Sequence, residues 1–431
     1  MASATVTAPQ SKSVESGSGT KPIVLGLLVF SVFINYIDRG NLSIAAPLIK
    51  DELGLSASQL GILLSAFFWT YGLSQILAGY LVDRIDVNWV MAAGFFLWSA
   101  ATGATGLLHG FAALLAVRLI LGVGESVAYP SYSKILTRHF PLSQRAFANA
   151  VIASGLSSGP AFGMLLGGML MARFGWRSFF ISVGLISLLW LVPWFRWMPR
   201  GPGLPSPAHS GRSPGTLEIL GRRSAWSTFV GLFSTGYSLY FLLAWLPYYL
   251  VRERQFSMDA MARIGGALYI SQAAFAALSG RWSNRRIARG GSASIHKLLL
   301  VAGSIATGLL LVASALVGPR LLVGLLMLLG MSVGVGLANI WPVSQILAGP
   351  DASGRWTGLQ CAFGNLSGAV AAAVTGYVKD RTGHFVWAFV VAAGISWIGA
   401  LSWSLAGRVE PINWSRPDSD PGEGGAVVVG R

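Results

Sequence analysis

Four charged side chains stand where the sequence is otherwise most apolar. Asp38 and Arg39 are adjacent, in the middle of an apolar run from about Pro22 to Ile49, and Arg118 and Glu125 lie seven residues apart in a second such run. A charge at the centre of a bilayer costs between ~2.5 and ~17 kcal/mol, so it is kept only with a partner or beside a water-filled cavity. Carboxylates and guanidinium groups in such a place fit a site that binds a charged solute.

The spacing of the second pair places both side chains on one side of a helix. Seven residues return a helix to within about 20° of its starting direction and advance it by roughly 10 Å. Each of Arg118 and Glu125 can therefore face a partner from another helix. Asp38 and Arg39 are the candidate partners. Because an acid competes with an anionic solute for a neighbouring arginine, such a set can bind an anion and a proton in alternation. The other interpretation is a set of structural ion pairs that lock helices together.

The composition indicates a membrane protein. Of the 431 residues, 53% are hydrophobic and 11% charged, with a mean hydropathy of +0.61, whereas a soluble domain carries about 25% charged residues. The net charge of +15 would suggest a nucleic-acid partner in a soluble protein, but here the basic residues sit mainly in loops. We therefore expect the lipid bilayer as partner and no nucleic acid.

Hydropathy predicts an all-α membrane protein with twelve transmembrane helices in two pseudo-symmetric six-helix bundles. The predicted spans are about 22–48, 59–81, 89–108, 112–136, 146–171, 178–198, 226–250, 261–280, 298–318, 321–348, 356–378 and 385–407. The predicted segments are a disordered cytoplasmic N-tail (1–21), an N-terminal bundle (22–198), a cytoplasmic linker (199–225), a C-terminal bundle (226–407) and a disordered cytoplasmic C-tail (408–431).

The predicted bundles repeat a short motif. Gly79-Tyr-Leu-Val-Asp83-Arg84 follows span 2, and Gly280-Arg-Trp-Ser-Asn284-Arg285 follows span 8. Two parallel six-span repeats place a binding site between them near the bilayer midplane. The segments on the side of both termini hold 18 Lys and Arg, and the opposite loops hold 9. This excess predicts cytoplasmic termini.

Over nearly all of residues 20–407 the chain resembles the major facilitator superfamily, and Gly79-x-x-x-Asp83-Arg84 resembles the gate motif in its loop between spans 2 and 3. The chain departs from that motif at Asp86, where a glycine is usual, and at Asn88, where a basic residue is usual. The stretch Asn35-Tyr36-x-Asp38-Arg39-x-Asn41-Leu42-Ser43 resembles the span 1 signature of the anion:cation symporter branch. The stretch Arg118-x-x-x-Gly122-x-Gly124-Glu125 resembles its span 4 signature. That branch includes galactonate, hexuronate, tartrate and phthalate permeases.

The resemblance implies roles for individual residues. Arg39 would hold the substrate carboxylate, Asp38 and Glu125 would carry coupling protons, and Arg118 would be the countercharge. Tyr71 in span 2 and Asn365 in span 11 match residues that hold substrate in related carriers, and Gln75 shares a helix face with Tyr71. Further polar or aromatic side chains that could line a cavity are Tyr240, Trp245, Ser344 and Gln345.

These features predict a proton-coupled symporter that imports an organic carboxylate, such as a sugar acid, a tartrate-like acid or an aromatic acid, by alternating access. An anion exchanger, an efflux carrier of the same fold or a non-transporting membrane sensor are the alternatives. No nucleophile or cofactor motif indicates an enzyme, so the coupling ion H+ is the only cofactor expected. The histidines fall in loops or at helix ends, so no metal site is expected.

The compartment and assembly follow from the same comparison with the branch. Its animal members carry a long glycosylated loop after span 1, but here that loop is short and has no Asn-x-Ser/Thr site. The chain is therefore expected in a bacterial inner membrane, as a monomer. Its single cysteine, Cys361, cannot form an internal disulfide.

Overall fold

The fold is all helical. The computed structural model describes residues 20–140, 142–199 and 214–414, and for Thr20, Asp83, Thr137 and some residues of 142–157 and 350–354 it describes the backbone alone. No β-strand occurs within these ranges. The helices are α1 (Thr20–Leu53), α2 (Ala57–Arg84), α3 (Val87–Thr105), α4 (Phe111–Ser126), α5 (Ala128–His139), α6 (Leu142–Phe162), α7 (Gly168–Leu188), α8 (Leu191–Trp197), α9 (Thr216–Leu220), α10 (Arg223–Tyr248), α11 (Met258–Ala288), α12 (Ser294–Leu316), α13 (Pro319–Thr382) and α14 (Val386–Ser404). Two π-helical turns, Gly163–Gly167 and Tyr249–Glu253, follow α6 and α10.

Two of these helices pass through a glycine break. Gly175 in α7 has φ 78° and Gly349 in α13 has φ 64°, values that a residue with a Cβ atom adopts only with strain. The first part of α13 (Pro319–Gly349) and its second part (350–382) therefore correspond to separate predicted spans. Every predicted span overlaps these helices, which confirms the fold class. Nine helical segments of the described chain are long and apolar enough to cross a membrane, so the number twelve stays a prediction.

The chain folds as two lobes with the same helix packing. In the N-terminal lobe (α1–α8), α1 packs on α6, α2 on α4 and α3 on α7. In the C-terminal lobe (α9–α14), α10 packs on the second part of α13, α11 on the first part and α12 on α14. The repeated motif occupies equivalent places, since it ends α2 in one lobe and lies near the end of α11 in the other.

The contacts between the two lobes are described by the end of the molecule at which they lie. We call the end that carries the α1–α2 loop the loop face, and the opposite end, where the described chain begins and finishes, the terminal face. On the loop face Arg252 of α10's π-helical turn contacts Asp51 of α1, and α2 lies against the second part of α13. The lobes are therefore joined at the loop face.

The linker and C-tail boundaries differ from the prediction. Residues 214–225 of the predicted linker contain α9 and the start of α10, whereas 200–213 lie outside the described residues. The structure describes residues 408–414 of the predicted tail, among which Val409 and Ile412 are buried. The Ile412 amide donates to the Leu347 carbonyl at 3.1 Å, and the Trp414 indole donates to the Ala348 carbonyl at 2.9 Å. The break at Gly349 frees these carbonyls, and the tail satisfies them. Residues 1–19 and 415–431 also lie outside the described residues.

Candidate functional site

Helices α1, α2 and α4 position the charged side chains. Helix α4 can approach α2 closely because it has Gly122 at the contact, where a methyl group would collide with the Phe67 carbonyl and Thr70. The Thr70 hydroxyl also donates to the Leu119 carbonyl of α4 at 2.7 Å. This contact fixes the rotation of α4 about its own axis, so that its charged side chains point toward α1.

All four charged side chains are buried within the N-terminal lobe. Asp38 is 2% exposed, Arg39 7%, Arg118 5% and Glu125 0%. Arg39 Nε donates to Glu125 Oε2 at 2.9 Å. Asn41 Nδ2 donates to Asp38 Oδ1 at 3.2 Å. Glu125 and Arg118 both act electrostatically on Asp38. The sequence-predicted set therefore forms one cluster, in which Arg39 and Glu125 are the hydrogen-bonded pair.

The cluster is not internally satisfied. A buried polar atom without a partner costs roughly 1–3 kcal/mol, and more when it is charged. Within the described part of the chain, six buried side-chain atoms at this site have no hydrogen-bond partner: Asn35 Nδ2, Asp38 Oδ2, Arg39 Nη2, Asn41 Oδ1, Arg118 Nε and Glu125 Oε1. Both donors and acceptors are open, so the site can accept an anion at the guanidinium groups and a proton at the carboxylates.

Aromatic rings surround the Arg39 guanidinium. Its Cζ lies 4.7 Å from the ring centre of Tyr36, 4.5 Å from that of Tyr71 and 5.1 Å from that of Phe67. Such contacts stabilise a desolvated cation by about 0.5–2 kcal/mol each. The ring of Tyr240 of α10 lies 4.8 Å from that of Phe68, which in turn contacts Phe67, so the cluster lies beside the C-terminal lobe.

Gln75 contacts a residue of this cluster, and Asn365 lies on a helix that packs against α2. Gln75 Nε2 donates to the Tyr71 hydroxyl at 2.9 Å. Asn365 is partly exposed, and it lies one turn from Gly368, where a Cβ atom would meet the ring of Phe68 on α2. Residues three and four apart share a helix face. Asn365 therefore lies on the face of α13 that is directed toward α2.

Three predicted cavity residues are placed elsewhere. Trp245 is 0% exposed, and its indole donates to the Ala372 carbonyl at 3.1 Å. Ser344 is 1% exposed, and its hydroxyl donates to the Ile340 carbonyl of its own helix at 3.1 Å. Both belong to the C-terminal core in this conformation, and their contact with substrate stays a prediction. Gln345 is exposed, and no described hydrogen bond joins it to the charged cluster.

We expect Trp245→Phe to lower stability and to leave substrate affinity unchanged. The variant loses the indole hydrogen bond and part of a packed ring, at a cost of about 1–3 kcal/mol. Thermal unfolding and the KM of uptake, measured together, check this. Tyr240→Phe, on the same helix, is the matched control, because it removes a hydroxyl near Arg39. A KM raised tenfold at unchanged melting temperature in Trp245→Phe would contradict the structural role.

The predicted gate motif lies at the terminal face, at the end of α2. Arg84 is exposed, and its Cζ lies 4.0 Å from the ring centre of Tyr80. A methyl group on Gly79 would meet no atom within 4 Å. The side chain of Asp83 lies outside the description. A gating role for this motif stays a prediction.

Sequence reasoning missed two polar clusters. The Tyr36 and Tyr129 hydroxyls lie 3.1 Å apart next to the charged site. In the C-terminal lobe, His296 Nδ1 lies 2.6 Å from Asn339 Oδ1, and Asn339 Nδ2 donates to the Ser279 hydroxyl at 2.9 Å. His296 is near a helix end as predicted, but it is buried there. A polar residue at a helical spacing within an apolar span is the signal that could have identified Asn339.

Comparisons with known proteins agree with this fold. The profile of the Major Facilitator Superfamily matches residues 28–372. The hexuronate transporter of Bacillus subtilis (strain 168) is 31% identical over 395 residues, which cover 88% of this chain and 93% of that protein. A probable sulfoacetate transporter of Cupriavidus necator is 28% identical, with 94% of this chain and 97% of that protein covered. A D-galactonate transporter of Escherichia coli is 27% identical, with 89% and 94% covered.

Solved structures show the same architecture. The crystal structure of a bacterial homolog to the human lysosomal transporter Spinster, in an inward-facing and occupied conformation, has a TM-score of 0.79 and 20% sequence identity. The similarity covers 91% of this chain and 97% of that chain. With its two equivalent lobes, its buried charged cluster and these relatives among organic-acid transporters, the chain belongs to the Major Facilitator Superfamily.

Proposed function

We propose that this transporter is a proton-coupled symporter that imports a small organic carboxylate by alternating access. The hydrogen-bonded pair of Arg39 and Glu125 is the observation that carries the proposal. An incoming carboxylate at the open Nη2 of Arg39 competes with the ionised Glu125 carboxylate for the positive charge of the same buried guanidinium. Protonation of Glu125 removes that competition. Substrate and proton therefore favour each other's binding, which is the reciprocal coupling that symport requires.

Each member of the site has a distinct role in this proposal. Arg39 binds the substrate carboxylate through its open Nη2. Asp38 and Glu125 carry the coupling protons. Arg118, which acts electrostatically on both carboxylates, balances whichever of them is ionised. Such a set keeps the number of uncompensated buried charges low at every step of the cycle.

The substrate class follows from the site and from the relatives together. The guanidinium selects an anion, and the names of the relatives specify hexuronate, galactonate and sulfoacetate. Tyr71, Gln75 and Asn365 can donate to substrate hydroxyl or carbonyl oxygens. We therefore infer a sugar acid or another small organic acid, carried across a bacterial inner membrane by a protein with both termini in the cytoplasm.

Thermal stabilisation of the purified protein tests the substrate class. A ligand that binds only the folded state raises the melting temperature by mass action, equivalent to about 2.7 kcal/mol at 100 times Kd. The panel comprises hexuronates, aldonates, aldarates, aromatic acids and a sulfonate, each with its neutral alcohol or amide as the matched control. We expect one class of acids to stabilise the protein and its neutral counterparts to have no effect. Stabilisation by cations or neutral sugars alone would overturn the proposal.

A further inference from the structure

The first turn of α2 is bound by a carboxylate from the opposite lobe. Asp380, near the end of α13, accepts two backbone hydrogen bonds through its two carboxylate oxygens. The Ala57 amide donates to Oδ1 at 3.1 Å, and the Ser58 amide donates to Oδ2 at 2.7 Å. The two hydrogen bonds cross from the C-terminal lobe to the N-terminal lobe at the loop face.

The backbone amides at the start of α2 have their hydrogen-bond acceptors in both lobes. Ser56 caps α2 within its own lobe, because its hydroxyl accepts from the Gln59 amide and the Gln59 side chain accepts from the Ser56 amide. The two intervening amides have no acceptor within the helix, and Asp380 binds both. The amides at a helix start carry partial positive charge, which favours a carboxylate at this place.

Close packing accompanies these hydrogen bonds. A methyl group on Gly61 of α2 would lie 2.7 Å from a backbone oxygen of the second part of α13, and one on Gly376 of α13 would collide with the Ala57 carbonyl. On the other side of the lobe interface, a methyl group on Gly168 would lie 2.7 Å from Ala262 of α11. The loop-face ends of the lobes are thus in backbone contact.

The same helix faces are open toward the terminal face. Gly72 and Gly79 follow Gly61 by 11 and 18 residues, which are close to whole numbers of helical turns, so all three share one side of α2. A methyl group on either Gly72 or Gly79 would meet no atom within 4 Å. Gly358, which is 18 residues before Gly376, is equally open. The lobes therefore diverge from the loop face to the terminal face.

We propose that Asp380 is a latch residue that holds the loop-face gate closed while the terminal face is open. Opening the loop face separates α2 from the second part of α13, and both hydrogen bonds to Asp380 are then lost. The contact between Asp51 and Arg252 crosses the same gap, but it joins two side chains, whereas Asp380, which is also exposed, binds rigid backbone. The proposal rests on alternating access alone and is independent of the substrate and of proton coupling.

The distance between the lobes at the loop face tests the latch. Spin labels are attached to Arg173→Cys and His384→Cys, two exposed loop-face positions in opposite lobes, in a Cys361→Ser background. We expect Asp380→Asn, which keeps the shape and removes the charge, to shift the ratio of open to closed populations by about two- to fivefold toward the longer distance. Glu253→Gln is the matched control, because Glu253 pairs with Lys379 at 2.7 Å within one lobe.

Alkylation of the native Cys361 is a second measurement, made in otherwise unaltered protein. Cys361 is a partly exposed residue of α13 near Tyr71 of α2, one turn from Asn365 on the side of the terminal face. Asp380→Asn should slow its alkylation by a similar factor, since the open terminal face is populated less. Unchanged distances and unchanged alkylation in Asp380→Asn, or equal changes in Glu253→Gln, would overturn the latch. Both measurements use no substrate and no pH gradient, so their failure is distinguishable from failure of the proposed symport.

Discussion

Arg39→Ala is expected to abolish both the thermal stabilisation by organic acids and their uptake. The Arg39 guanidinium donates to Glu125 through Nε, and its buried Nη2 has no hydrogen-bond partner within the described residues. Loss of one partner of a buried charge-assisted hydrogen bond costs about 2–5 kcal/mol, or roughly 30-fold or more in affinity. The variant also leaves Glu125 without its hydrogen-bonded partner, which makes an ionised carboxylate at that buried position more costly.

A conservative variant separates the loss of substrate affinity from the loss of the positive charge beside Glu125. Arg39→Lys keeps a positive charge beside Glu125 but loses the planar fork that matches a carboxylate. We expect its melting temperature without ligand to stay near that of the wild type, and its affinity for the acid to fall by about 1.5–3 kcal/mol. Calorimetric titration with the best acid of the panel measures this. If Arg39→Lys bound the acid as tightly as the wild type, Arg39 would be a structural ion-pair partner and the substrate role would be lost.

The charged cluster could be predicted from sequence because the bilayer penalises isolated charges so strongly. Asp38 and Arg39 could remain in an apolar run only with partners, and the seven-residue spacing placed Arg118 and Glu125 on one helix face. The structure brings these residues together, but it selects one hydrogen-bonded pair among the combinations that the spacing allowed. The position of α1 along its axis relative to α4 decides which carboxylate accepts the hydrogen bond from Arg39. Hydropathy does not determine that position.

The C-terminal lobe was harder to predict because its spans carry few polar side chains. Without charges to mark the inner face, Trp245 and Ser344 were assigned to a cavity by residue type. The direction of Trp245 depends on the rotation of α10, where Gly231 and Gly236 admit the Trp403 ring and Ser367. A tryptophan fully buried in a helix core and one that lines a cavity have the same local sequence pattern.

The closure of the loop face was also beyond sequence reasoning. Gly61, Gly72 and Gly79 lie at equivalent positions on one helix face, yet only Gly61 is in contact with the other lobe. The same sequence must fit both conformations of an alternating-access carrier. A pattern of small residues therefore identifies the surface that the lobes share, whereas the conformation itself is a property of the folded state.

Glu125→Gln is expected to retain substrate binding and to lose accumulation driven by a pH gradient. Glutamine has the shape of a protonated glutamate, and its oxygen can still accept the hydrogen bond from Arg39 Nε, so affinity should stay within about 1 kcal/mol of the wild type. The site then has no carboxylate at this position to release a proton after the substrate leaves. Exchange of substrate across the membrane needs no net proton movement, whereas concentrative uptake does.

Proteoliposomes separate these two activities. Counterflow of labelled substrate should persist in Glu125→Gln, while uptake under an imposed pH gradient should fall to the level reached without a gradient. Glu52→Gln is the matched control, because Glu52 is a loop-face carboxylate that pairs with Arg177 at 2.8 Å, away from the buried cluster. Continued accumulation by Glu125→Gln under the gradient would remove Glu125 from the proton pathway. Asp38 would then be the carboxylate that couples the two gradients, because it is the other buried acid at the site and has an open oxygen.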